Sequence, residues 1–313
     1  MIRLLFLSMA IIAADDIVVP TTFGPSNRAR IVVNMVGRNN RSRMLENAQM
    51  YINTVRSTRP RTSGDYGFAI PSVTGESAVF LRGTSYSDQI PYDTDISVGY
   101  GSEFFALIGS IMLIPPVERH GTEGSMILNP SDVANQYCFE GILDYVGIDP
   151  TNPIVETTFD IVHRIAMPGG RVVHQAFPHN TVLRYQLAAE NPYISLPSAA
   201  FMDLMNQISG ATLDLPQAPI HGTRRTWIFP PGRCTTELIS RMPTLKFTIR
   251  NAGQAGVEIH LEPLDYLRVD RRLNSCEILI VSERSSIHQL GAPFFRIAAI
   301  HFDQNRIGFC DPI

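Results

Sequence analysis

The sequence predicts an all-β chain with room for two lobes. Aromatic and β-branched residues recur along its length, and 22 Gly and 22 Pro punctuate it at short intervals, the pattern of many short strands joined by turns. At 313 residues and 44% hydrophobic, the chain can bury a full core of two ordinary domains. Few helices are expected.

The N-terminus has the order of a secretory signal peptide. Met1-Ile2-Arg3 precedes an apolar run from Leu4 to Ala13, and Asp15-Asp16 follows, so residues 1–14 are read as a leader cleaved near Ala13 or Ala14. No later run approaches the ~20 apolar residues that span a bilayer. The longest, Phe104 to Ile114, is 11 residues and reads as paired strand. A secreted or lumenal protein without a membrane span is therefore expected.

Net charge is −3, or −4 once the leader's Arg3 is removed, so bulk electrostatics gives no reason to expect a nucleic-acid partner. The distribution is uneven. Lys246 is the only lysine, and Arg28, Arg30, Arg38, Arg41, Arg43, Arg56, Arg59 and Arg61 face the single acid Glu46 over the same stretch. That cluster is either a solvated face built with Arg in place of Lys or an anion-binding surface. Cys138, Cys234, Cys276 and Cys310 are an even set in a chain read as secreted, which permits three pairings that spacing does not decide. Asn40-Arg41-Ser42 is a glycosylation sequon in that compartment.

The common catalytic signatures are absent: the sequence has no His-Glu-x-x-His, no Cys-x-x-Cys, no Gly-x-x-x-x-Gly-Lys and no Gly-x-Ser-x-Gly. The eight histidines lack ligand spacing, so neither a metal nor another cofactor is expected. The C-terminal third is more informative. Met242 to Ile249 alternates as a strand, His260-Leu261-Glu262-Pro263-Leu264-Asp265-Tyr266-Leu267 follows, and Ile278-Leu279-Ile280-Val281 reads as a buried strand. Then come Gln289-Leu290-Gly291-Ala292-Pro293-Phe294-Phe295-Arg296 and Ile300-His301-Phe302-Asp303-Gln304-Asn305-Arg306-Ile307-Gly308-Phe309. In order and spacing this stretch resembles the last lobe of pepsin-like aspartic proteases of family A1.

The resemblance implies a bilobal β fold and a Cys234–Cys276 disulfide. Further back, Asp95-Ile96-Ser97-Val98-Gly99-Tyr100-Gly101-Ser102 is similar to the family's flap, which would make Tyr100, Gly101 and Ser102 binding residues. Phe139-Glu140-Gly141-Ile142-Leu143 is similar to the segment that passes a glycine behind the first catalytic loop, and Asp144 would stand in that glycine's place. In the second lobe Leu290-Gly291 keeps the feature.

Aspartic proteases use two carboxylates, one per lobe, which share a proton and activate a water. Each is presented by Asp-Thr-Gly or Asp-Ser-Gly, and neither tripeptide occurs in this sequence. The resemblance sets Asn53-Thr54-Val55 over the first motif and Ala188-Ala189-Glu190 over the second. An amide cannot take a proton from water at this site, valine is disfavoured where a tight turn wants glycine, and Ala188 has no carboxylate. Asp93, Asp95, Asp144 and Glu190 are the carboxylates nearest in sequence for a displaced mechanism. Arg56, three residues after Asn53, would with Arg59 and Arg61 favour an anion instead.

About 20 residues are expected between the leader and the first strand, fewer than a usual inhibitory pro-segment. The stretch 149–189 is shorter than the family's inter-lobe region, so the second lobe should have an abbreviated start. The lobes are placed at 15–165 and 166–313. The function implied is that of a pseudoenzyme whose inter-lobe cleft holds an extended peptide or protein ligand.

Overall fold

The computed structural model describes residues 16–23, 29–37, 44–54, 66–72, 75–80, 94–100, 105, 108–119, 121–149, 153–166, 172–210, 220–221, 224–250 and 256–313. The first half contributes β1 (Ile17–Phe23), β2 (Ala29–Gly37), β3 (Met44–Asn53), β4 (Tyr66–Ser72), β5 (Gly75–Phe80), β6 (Thr94–Ser97), β7 (Ile111–Ile114), β8 (Glu123–Leu128) and β9 (Asp144–Gly147). β1 begins just past the expected leader and pairs with both β2 and β8, so the anticipated interval of about 20 residues before the first strand is not found. Among the described residues of the long apolar run, Ile111–Ile114 is strand. Phe105 and Ile108 are helical, with the Gly109 N–H donating back to the Phe105 carbonyl at 2.8 Å.

The second half opens with one long hairpin, β10 (Ile154–Ala166) and β11 (Val172–Leu187), which fills the short interval expected between the lobes. β12 (Ile194–Leu196), β13 (Ile220–His221), β14 (Arg224–Phe229), β15 (Thr244–Ile249), β16 (Val257–Leu261), β17 (Leu267–Asp270), β18 (Ser275–Ser282) and β19 (His288–Leu290) complete it. These form two five-stranded sheets, β16-β15-β10-β11-β19 and β12-β18-β14-β13 with β17 beside β18. The pattern in β15 is strict alternation: Leu245, Phe247 and Ile249 are buried while Thr244, Lys246 and Thr248 are half-exposed. In β18 the run Ile278–Val281 is buried throughout, as a strand covered on both faces requires. β10 pairs with both β11 and β15, so residues 154–165, expected in the first lobe, share a sheet with strands of the second half.

The chain then returns. β20 (Ala299–Asp303) pairs with β7, and β21 (Arg306–Cys310) pairs with β9, so the C-terminus is woven into the eleven-stranded sheet of the first half. Cys138–Cys310 fastens this return, and Cys234–Cys276 ties the second half internally as the resemblance implied. Phe139 to Gly141 forms a 3-10 turn beside the first disulfide, with Phe139 and Ile142 exposed, and Asp144 begins the edge strand β9 opposite Phe309. This segment therefore does not pass behind a catalytic loop.

A charged clamp joins the halves a second time. Asp265 is buried, and Arg119 on the β7–β8 connection reaches both its carboxylate oxygens, at 3.3 Å from Nε and 2.8 Å from Nη2, while Nη2 also donates to the His260 carbonyl at 2.9 Å. The Glu262 N–H donates to the same carboxylate at 2.6 Å. Removing one partner of a fully buried pair costs ~3–5 kcal/mol because the other charge is stranded. Arg119 is 47% exposed, so water replaces part of what is lost. Arg119→Ala should destabilise the chain by about 2 kcal/mol, read as a lower denaturant midpoint with unchanged slope.

Candidate functional site

Two strand ends face each other, and one threonine joins them. β3 ends at Asn53 and β11 at Leu187, and the residues that follow meet across the halves. The buried Thr54 hydroxyl donates to the Leu187 carbonyl at 2.8 Å and accepts from the Ala189 N–H at 2.9 Å. The Thr54 N–H in turn donates to a carboxylate oxygen of Glu190 at 3.1 Å. Asn53-Thr54 and Ala188-Ala189-Glu190 are thus brought to one point from a separation of 133 to 136 residues.

Each strand end is braced by the same local device. β6 runs parallel to the end of β3, in register Asn53↔Ser97, and the Val98 N–H donates to the Asn53 carbonyl at 2.8 Å. β19 runs parallel to the end of β11, in register Leu187↔Leu290, and the Ala188 N–H donates to the Leu290 carbonyl at 2.9 Å. A glycine follows each short strand. A Cβ on Gly99 would lie 1.8 Å from the Thr54 carbonyl oxygen, and one on Gly291 would lie 2.1 Å from that of Tyr193. Only a residue without a side chain lets the backbones approach this closely.

The glycine behind the first loop is therefore Gly99, a correction to the expectation that Asp144 had displaced it. The signal was legible: a short strand followed by an apolar residue and glycine occurs as Ser97-Val98-Gly99 and again as Gln289-Leu290-Gly291. The expectation of an exposed flap residue is not met at Tyr100. Tyr100 is buried, its hydroxyl donates to the Asp303 and Arg306 carbonyls at 2.7 Å each, and its ring packs on Phe105 and Phe302. It fastens the first half to the β20–β21 turn. Gly101, Ser102, Val55, Arg56, Arg59, Arg61, Asn40 and Asp93 lie outside the described residues.

Around the second loop several polar groups are matched. The Asn191 side-chain amide donates to Gln289, the Asn191 carbonyl accepts from the Ala292 N–H at 2.7 Å, and the Ser195 hydroxyl accepts from the Gln289 N–H at 2.7 Å. Chemically, the junction offers an amide at Asn53, a methyl at Ala188 and one carboxylate at Glu190 that receives a backbone N–H. Of the other displaced carboxylates, Asp144 is exposed on β9 and Asp95 is a residue of β6. No cluster of His, Cys, Asp or Glu that could hold a metal occurs among the described residues, and none of their helices is long and apolar enough to cross a membrane.

Sheet architecture and paired strand ends together define an all-β, bilobal fold of the pepsin-like class. The crystal structure of basic 7S globulin from soybean is similar over 95% of this chain and 96% of its own, with a TM-score of 0.59 at 12% identity. No family model and no curated relative matches the sequence.

Two outcomes follow from the junction and its surroundings. Thr54→Val keeps the shape but leaves the buried Leu187 carbonyl and Ala189 N–H unpaired, so it should cost about 2–4 kcal/mol in chemical denaturation, while Thr54→Ser should cost less. The second concerns His301, buried on β20 with its Nδ1 sharing a hydrogen bond of 2.8 Å with the Tyr145 hydroxyl. Burial pushes its imidazole down to about 4, and burial lowers His288 as well. The folded chain thus holds a neutral ring that the unfolded chain protonates near pH ~6.5. Stability should be full above that pH and fall as pH drops toward 4, by on the order of 3 kcal/mol from His301. Melting temperatures of His301→Gln should decline less steeply over the same interval.

Proposed function

We propose that this chain is a secreted, non-catalytic relative of the aspartic proteases, acting by binding a peptide or protein. One observation carries the reading: Thr54 joins the two strand ends where a catalytic pair would stand, and the flanking residues are Asn53 and Ala188. Proton sharing needs two carboxylates at contact distance, and a displacement of ~1 Å already costs on the order of 100-fold in rate. Glu190 is a single carboxylate committed in part to the Thr54 N–H. Peptide recognition by strand pairing uses backbone groups, so it survives loss of the acids. Two disulfides and the leader-like N-terminus support the secretory route.

Purified chain incubated with denatured protein from about pH 3 to 7 should give no cleavage that a statine-type inhibitor blocks. Inhibitor-sensitive cleavage abolished by Glu190→Gln would overturn this reading in favour of a peptidase using a displaced carboxylate.

A further inference from the structure

A groove of about 970 Å³ lies against β17, remote in its lining from the Thr54 junction. Four consecutive residues, Leu267 to Asp270, line it. Side chains alternate faces along a strand, so a cavity touching every residue of β17 in turn reaches its backbone edge, while Ile228, Ser275, Cys276 and Glu277 extend the lining across β18 to β14. That edge is open, since β17 pairs with β18 alone among the described strands.

Register decides which groups the edge offers. The Leu279 N–H donates to the Tyr266 carbonyl at 2.7 Å, which makes Tyr266 and Leu279 a hydrogen-bonded pair. Alternation then turns the backbone groups of Arg268 and Asp270 toward β18 and those of Leu267 and Val269 away from it, along the open edge. The groove thus offers N–H and C=O groups at a two-residue repeat, which an extended chain can match.

Its charge is specific as well. Arg268, Arg271, Arg272 and Arg296 line it, against two acids that are already engaged. Glu277 pairs with Arg268 at 2.6 Å and accepts from the Tyr193 hydroxyl at 2.8 Å, and Asp270 accepts from the N–H groups of Arg272 and Leu273 at 2.9 and 3.3 Å. Arg271 and Arg272 sit exposed on the β17–β18 turn and form no ion pair among the described residues. Leu264, 41% exposed, gives the wall an apolar station. A volume at the upper end of the ~300–1,000 Å³ typical of ligand pockets exceeds what a lone inorganic anion would fill.

We propose that this groove takes an extended acidic peptide segment of a partner protein, added as a strand beside β17 with its carboxylates on Arg271 and Arg272. The groove shares no lining residue with the junction, so it stands or falls independently of the function proposed above. The test is fluorescence anisotropy of the full chain with a labelled peptide alternating Glu and Val. Three comparisons accompany it: the same peptide methylated at alternate backbone nitrogens, a Lys-Val counterpart, and pyrophosphate as competitor. Saturable binding is expected for the acidic peptide, weakened about tenfold or more by backbone methylation and by Arg271→Glu with Arg272→Glu. Both arginines are on an exposed turn, so that variant should melt as the parent does, and the methylated probe leaves the protein unaltered. Absence of saturable binding, equal binding of the methylated or the Lys-Val peptide, or full displacement by millimolar pyrophosphate would overturn the proposal, the last pointing to a simple anion site.

Discussion

The hydroxyl of Thr54 is the point on which the two halves agree. It satisfies one carbonyl and one N–H of the opposite loop at once, both buried where no water replaces it. A buried group left unpaired costs ~1–3 kcal/mol, so this one side chain fixes how the strand ends approach. The residue across from it, Ala189, has no hydroxyl to return the contact. Glu190 takes the Thr54 N–H instead. The junction is asymmetric: positioning depends on Thr54 and the two bracing glycines, while Asn53 and Ala188 carry no carboxylate.

Around the junction the fold is closed by long-range fastenings. The C-terminal strands return to the first half, Tyr100 caps their turn, Cys138–Cys310 locks their end, and Arg119 grips Asp265 from the other side. These contacts join positions more than 140 residues apart, so each closes a large loop of the unfolded chain. Several are polar and buried. That makes them sensitive to substitution and, through His301, to acid.

The C-terminal lobe was legible because its strands carry their own signals. Thr244–Ile249 alternates cleanly, Ile278–Val281 is uniformly apolar, and Leu290-Gly291 marks a close backbone approach. Asn53 and Ala188 were placed by order along the chain, and the Thr54 contacts bring together the loops that carry them. The first lobe misled where short motifs were read without partners. Val98-Gly99-Tyr100 looks like a flap in isolation. Parallel pairing of β6 with β3 turns its glycine against Thr54 and its tyrosine into the core. Phe139 to Leu143 has the letters of a loop-bracing strand, yet the Cys138–Cys310 disulfide holds it at the surface.

By itself the sequence determined the all-β class, the absence of both Asp-Thr/Ser-Gly motifs and the strands at Thr244–Ile249 and Ile278–Val281. These are properties of composition and local periodicity, which a linear chain carries directly. Tertiary structure decided which glycine braces which loop, that Glu190 takes up the Thr54 N–H, that Cys138 pairs with Cys310, and that β17 presents an open edge beside Arg271 and Arg272. Each of those depends on contacts between residues remote in sequence or on the register of neighbouring strands, and neither is written in any single stretch of the chain.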